Sequence, residues 1–243
     1  MKKLKFSDII IFEDDNYIVV NKPPLMATLD DRAESINLLL LAREYCSDAQ
    51  VCHRLDKETS GALLIAKNPD AYRSASMQFE KREVTKIYHA VAEGIHSFTD
   101  EVVNQSLQVT GKGHVRASFR NAQLGGQGKE AITTFNTIRA YKSHTLIECK
   151  PLTGRMHQIR VHLASLNASI VNDDMYGGKP LLLSSLKKNY NLKKWTEELS
   201  LINRFALHAF ELKFRGLNDE LIHVKAEYPK DFRVLVEQLK KNC

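Results

Sequence analysis

Nothing in this sequence is long and apolar enough to cross a bilayer as a helix. Such a helix needs about 20 consecutive apolar residues, and the longest apolar stretch, Ile36 to Ala42, is short and interrupted by Asn37. The basic start Met1-Lys2-Lys3-Leu4-Lys5 is followed by neither a hydrophobic segment nor a small-residue cleavage site, so no export signal is expected. Without export, the sequons Asn104-Gln105-Ser106 and Asn167-Ala168-Ser169 carry no meaning. Cysteine is scarce: Cys46, Cys52, Cys149 and Cys243 make no C-x-x-C pair and keep no regular spacing. Cys52-His53 has no second pair at zinc spacing, so reduced thiols in a cytoplasm are expected, and no metal. Gly111-Lys112-Gly113 lacks the spacing of a phosphate-binding or dinucleotide-binding turn. No repeat of 20–50 residues, composition break or long linker divides the chain.

What is present is globular: 243 residues, 43% hydrophobic and 26% charged, enough to bury a sizeable core. A net charge of +6 and a pI near 9.0 favour an anionic partner, with nucleic acid first. Short strands are expected at Ile9–Phe12 and Tyr17–Val20, the second stopped by Pro23-Pro24. A helix is expected over Ser35–Cys46 and a short apolar strand over Gly61–Ala66. Asn68-Pro69-Asp70 has the chemistry of a helix start, with Asn as cap and the helix running to about Lys81. Strands over Thr85–Ala92, Val102–Val109, His114–Phe119, Ala131–Ile138 and Thr145–Lys150 follow, with a glycine-rich stretch from Gly111 to Gly128. Thr153–Leu166 reads as a helix and 178–200 as a lysine-rich, partly helical insertion. Strands at Phe205–Phe214 and Leu221–Ala226 precede a last helix from Pro229, apolar at Phe232, Leu235, Val236 and Leu239. Together these predict an α+β fold, a mixed and mostly antiparallel central sheet with flanking helices and a catalytic cleft, in one domain over 1–243.

Three segments carry chemistry. His53 to Lys67 places the carboxylate of Asp56, flanked by Arg54 and Lys57, on a short polar segment leading into an apolar strand. A charge there can sit on a cleft floor fixed by the sheet; an isolated Asp is more often a solvated carboxylate paired with its neighbours. Arg54, two residues earlier, lies on the same side of an extended segment. In the second segment, Tyr88 stands in an alternating strand with Lys86 and Ala90 on its face; alone, it reads as half-buried core. The third runs from Leu152 to Ala164. Its apolar Met156, Ile159, Val161 and Leu163 spread round much of a helix, so the cations among them need partners in the protein or in a ligand. Arg155 sits at the positive end of that helix, where cations are disfavoured, which fits phosphate or site binding. His157 and His162 are five apart, unsuited to a zinc pair and better suited to structural hydrogen bonds.

The run His53-Arg54-Leu55-Asp56-Lys57-Glu58-Thr59-Ser60-Gly61 resembles, almost letter for letter, the signature H-R-L-D-x-x-T-S-G of the RluA-type RNA pseudouridine synthases. Lys86 to Ala90 is similar to that family's K-x-Y-x-A strand, and Leu152 to Ala164 to its L-x-T-G-R-x-H-Q-I-R-x-H-L-A segment. Weaker likenesses at Tyr17–Pro23, Gly128–Thr134, Asp174–Gly178 and Leu207–Ala209 keep the family's order over roughly residues 10 to 227. Chance supplies one such match, not an ordered set. Departures are Met156, where a small threonine is usual, and Asn172-Asp173-Asp174, where the family tends to place a glycine before its aspartate.

The resemblance implies an enzyme that isomerises uridine within RNA. It breaks the N1–C1′ bond, turns the uracil and joins C5 to C1′. Asp56 would be the catalytic carboxylate, trapping or stabilising the sugar cation or removing the 2′ proton. It must be ionised to work, and burial opposes that, so a fixed cation is expected beside it; Arg160 is the candidate. Arg54 would displace the target base, and Tyr88 would stack on the flipped uracil and exchange a proton at C5. Arg155 and Arg160 complete the substrate-binding set. Lys81, Arg82, Lys86, Lys179, Lys187, Lys188, Lys193 and Lys194 are candidates for contacts to the RNA backbone. No cofactor is expected. The expected partner is RNA, ribosomal of the large subunit first and transfer RNA second, met by a monomer in the cytoplasm with no membrane attachment. The family's S4 RNA-binding domain is not expected, because the likeness begins by residue 10. Rival readings are a catalytically silent RNA-binding protein on the same scaffold and a carboxylate-dependent hydrolase, for which no second carboxylate motif stands out.

Overall fold

The computed structural model describes residues 4–29, 36–110, 114–118, 128–188, 190–191 and 197–242. It divides into two compact units, one of Met1–Tyr88 with His208–Pro229, the other of His89–Leu207 with Lys230–Cys243.

The first unit is organised on β4 (Ser60–Ala66), buried at all seven positions. β1 (Ile10–Glu13) and β2 (Tyr17–Lys22) form an antiparallel hairpin. Asp14 Oδ1 closes its turn by accepting the N–H groups of Asn16 (2.7 Å) and Tyr17 (2.6 Å). β2 runs antiparallel along one edge of β4, from Tyr17 opposite Ala66 to Lys22 opposite Gly61. The other edge therefore takes both β3 (Gln50–Val51), antiparallel, and β11 (Leu207–Arg215), parallel at His208–Ser60 and Ala209–Gly61. β12 (Leu221–Lys225) pairs antiparallel with β11.

Side-chain alternation then sorts the core into two faces. Tyr17, Val19, Ala62, Leu64 and Ala66 pack with Phe214, Ile222 and Val224 under Ala71 and Ala75 of α2 (Pro69–Glu80). Ile18, Val20, Leu63 and Ile65 pack on the other face with Leu38, Leu41 and Ala42 of α1 (Leu38–Tyr45), and Leu55 joins them. A strand covered on both faces reads as an unbroken apolar run, as β4 does. α2 starts where expected, with Asn68 accepting the Ala71 N–H. α1 starts later than Ser35, which lies outside the described residues, because Asn37 caps it by accepting the Leu40 N–H.

In the second unit, the part of β5 (Thr85–Glu93) from His89 onward, β10 (His144–Pro151), β9 (Ile132–Ala140) and β6 (Glu101–Asn104) lie side by side in that order. The β10–β9 and β9–β6 pairings are antiparallel. The continuous strand expected over 102–109 is divided at Gln105: β6 stays on β9, while β7 (Ser106–Thr110) turns to pair with β8 (His114–Ser118). α3 spans Gln158–Ser165, and the 178–200 segment contains one short helix among its described residues, α4 (Leu183–Leu186). α5 (Lys230–Lys241) buries Phe232, Leu235, Val236 and Leu239, the stripe its spacing predicts. The fold is α+β, with a mixed, mostly antiparallel sheet and flanking helices. Among the described residues no helix is long and apolar enough to cross a membrane.

Gly61 allows β4 and β11 to meet. Its φ is +116°, and a Cβ there would stand 2.1 Å from the Ala209 carbonyl oxygen. Gly61→Ala must separate the strands or strain the backbone, and is expected to cost about 3 kcal/mol in a urea unfolding titration.

Candidate active site

The loop between β3 and β4 is held from both ends. At its start, His53 Nε2 accepts the Leu64 N–H (3.1 Å). The ring lies 4.8 Å from that of Phe79. Accepting the Leu64 N–H at Nε2 requires the neutral tautomer with hydrogen on Nδ1. Burial, and secondly the charge of Lys86, push His53 down to about 3, so it stays neutral. Burial also lowers Lys86 to about 8. At its end, the Ser60 hydroxyl meets His208 Nδ1 (2.9 Å), whose Nε2–H donates to the Ala226 carbonyl (3.0 Å). In between, the Thr59 N–H donates to the Asp56 carbonyl (3.0 Å) and closes a turn.

Asp56 is half-buried at this turn and Arg54 is exposed. Leu55 is buried in the α1-side cluster, and the half-buried Tyr88 packs against the same cluster. The carboxylate-bearing turn and the phenol thus share one apolar patch of the first unit. Lys81 and Arg82 are exposed.

In the second unit the segment from Leu152 folds differently from its helical expectation. α3 begins at Gln158, because His157 adopts a left-handed conformation (φ 55°) and the Gln158 side chain turns back. Gln158 Oε1 accepts from the Thr153 hydroxyl (2.7 Å) and the Arg155 N–H (3.0 Å), while its Nε2 donates to the Ile132 carbonyl and to Thr133 Oγ1 (both 2.9 Å). Arg155 is therefore ahead of the helix rather than in its first turn; it is exposed, and its Nε donates to the Glu130 carbonyl (3.0 Å). Met156 packs on the cluster of Leu107, Ala131 and Val161.

Six consecutive residues of α3, Gln158 to Leu163, are buried, so its cation needs internal partners, as expected. Arg160 donates from Nε and Nη2 to Asp173 (2.7 and 2.6 Å), and its guanidinium carbon is 4.9 Å from the Tyr176 ring centre and 4.2 Å from that of Phe205. A bidentate carboxylate and two aromatic faces fix the plane of the group. Sequence reasoning passed over Asp173 as part of a departure from the family pattern. The signal was present: Asn172 has φ 62°, a conformation that glycine takes freely and asparagine tolerates, so it does the work of the glycine usual before this aspartate. Tyr176 was also overlooked; its hydroxyl meets His157 Nδ1 at 2.8 Å. His162 Nδ1 contacts the Thr133 hydroxyl (2.9 Å), and burial pushes it down to about 4. Both histidines have the structural role expected.

Lys179, Lys187 and Lys188 are exposed; Lys193 and Lys194 lie outside the described residues. Among the described residues no group of three or more His, Cys, Asp or Glu side chains stands ready to hold a metal ion.

A family model described as RNA pseudouridylate synthase matches residues 16–165. A Buchnera aphidicola protein named ribosomal large subunit pseudouridine synthase C is 34% identical over 212 residues, covering 86% of this chain and 63% of that protein. A Neisseria meningitidis protein named ribosomal large subunit pseudouridine synthase D is 34% identical over 239 residues, covering 95% of this chain and 61% of that protein. The chain thus spans less than two thirds of either relative's length. A solved structure of human RNA pseudouridylate synthase domain containing 4 matches with a TM-score of 0.69 and 22% identity, covering 97% of this chain and 94% of that one; the likeness is one of fold.

Asp173→Ala removes the carboxylate that the buried Arg160 grips through two nitrogens and is expected to lower stability by about 3 kcal/mol in denaturant unfolding. A second expectation concerns pH. His53 and His162 are held below their ordinary 6.5, so their contribution is complete above pH 6.5 and is lost as pH falls toward about 3 and 4. The unfolding free energy should fall across that window by up to about 1.4 kcal/mol per pH unit per histidine. His53→Gln should flatten the slope; an unchanged slope contradicts the assignment.

Proposed function

The chain belongs to the RNA pseudouridylate synthase family, and from that premise we propose that it isomerises uridine to pseudouridine within RNA, with Asp56 as its catalytic carboxylate. The observation that carries the reading is the family match over 16–165, which contains Asp56, half-buried on a turn held at both ends. As the N1–C1′ bond breaks, positive charge builds on the sugar; an ionised carboxylate beside C1′ stabilises it, bonds to it or removes the 2′ proton. After the uracil turns, C5 bonds to C1′, the C5 proton leaves and N1 gains one. Atoms and electrons balance within one nucleotide, so the reaction requires no redox partner.

Tyr88, packed on the patch that holds Leu55, is suited to stack on the uracil and to exchange the proton at C5. The exposed Arg54 is suited to enter the RNA and replace the extruded base, offsetting part of an extrusion cost of a few kcal/mol. Arg155, also exposed, is suited to a phosphate, and Arg160 to a contact whose geometry Asp173 fixes. The names of the relatives support large-subunit ribosomal RNA as the substrate.

The test uses ribosomal and transfer RNA transcripts tritiated at uridine C5. Wild-type protein should release tritium from ribosomal RNA, and Asp56→Asn should bind the same RNA with release at background. Binding without release by the wild type indicates a silent binder; free uracil indicates a hydrolase.

A further inference from the structure

The segment that joins β2 to α1 reaches the residue on each side of Asp56. Lys22, the last residue of β2, is 0% exposed. Its ammonium donates to the carbonyls of Pro23 (3.1 Å), Met26 (2.9 Å) and Lys57 (3.1 Å). A buried charge is tolerated only where its hydrogen bonds are made, and these contacts match the three N–H donors of an ammonium. Leu25 has φ 63°, uncommon for a leucine, and bends the segment between the two local carbonyls that Lys22 gathers. The Lys57 carbonyl is different: it belongs to the loop that carries Asp56.

Thr28, 4% exposed, grips the other side. Its hydroxyl donates to the Leu55 carbonyl (2.9 Å) and accepts the Leu55 N–H (3.3 Å), so one side chain satisfies both backbone groups of the residue before Asp56. Its own backbone is anchored in turn. The Ala27 and Thr28 carbonyls accept the N–H groups of Leu38 and Leu39 in the first turn of α1 (2.9 and 3.2 Å). Residue 57 is thus tied to the end of β2, residue 55 to the start of α1, and residue 56 lies between the two ties.

We propose that Lys22 and Thr28 are positioning residues for the reaction, setting where the Asp56 carboxylate stands by clamping the backbone on both sides of it. The proposal rests on the reading of Asp56 as the catalytic carboxylate. Both side chains act through the backbone of the loop that carries Asp56. A merely structural role would lower stability and leave the turnover of folded protein intact; a positioning role lowers turnover itself.

The experiment compares wild type, Thr28→Val, Thr28→Ser, Lys22→Met and Asp56→Asn on C5-tritiated large-subunit ribosomal RNA, each first checked for folding by circular dichroism and thermal melting. Thr28→Val keeps the shape and loses the hydroxyl. It and Lys22→Met should lower kcat by about tenfold to a hundredfold, the scale of a small misplacement of a reacting group, with KM for RNA little changed. Thr28→Ser, which restores the hydroxyl, should recover most of the loss. If Lys22→Met does not fold, the Thr28→Val and Thr28→Ser pair decides. Wild-type kcat in folded Thr28→Val, or a rise in KM alone, overturns the clamp while Asp56→Asn remains inactive. Full activity in Asp56→Asn overturns the reading of Asp56 and the clamp with it.

Discussion

Two hydrogen-bonded ties, Thr28 to Leu55 and Lys22 to Lys57, stand on either side of one carboxylate. A group that meets a sugar carbon at bonding distance, as proposed for Asp56, is only as useful as the backbone that holds it. Here the backbone is a turn between two strands, a kind of segment that is ordinarily mobile. What stiffens it is buried polarity: an ammonium and a hydroxyl without access to water, each bound to the loop because leaving those partners is costly. The apolar core supplies the frame, with β4 covered on both faces and Leu55 sunk in the α1-side cluster. The polar ties set the register of the loop on that frame.

The second unit applies a similar economy to a cation. Arg160 is buried, so its charge must be met inside the protein, and Asp173 meets it along one edge while Tyr176 and Phe205 lie against its faces. A guanidinium fixed in plane and direction presents its N–H groups in a set geometry, unlike one that moves freely on a surface. Asn172 makes this possible by taking the left-handed backbone that turns Asp173 toward the helix.

Local signals gave most of the fold. Asn68-Pro69 marked the start of α2, the unbroken apolar run marked β4, and the spacing of Phe232, Leu235, Val236 and Leu239 marked the buried face of α5. The misplaced start of α3 has a physical cause, a side chain whose partners are distant in sequence. Gln158 bonds to Ile132 and Thr133, and so holds Thr153 to His157 out of a helix that local propensity allows. Gln105 ends one strand pairing and the next residue begins another. The same limit governed the site. Asp56 and Tyr88 stand out by residue type and motif, and Asp173 does not, because the choice of a carboxylate for Arg160 is made by a fold that brings residue 173 against residue 160. Lys22 was visible as a member of a motif, but its burial was not; lysine is among the residues least often buried.

The central claim is that this chain makes pseudouridine through Asp56. It is tested most directly by mapping pseudouridine along ribosomal RNA from cells lacking the gene and from the same cells carrying the wild-type or Asp56→Asn gene. The account predicts that at least one large-subunit position loses its modification without the gene, regains it with wild type and does not regain it with Asp56→Asn. An unchanged map in the deletion strain, or recovery with Asp56→Asn, would contradict it.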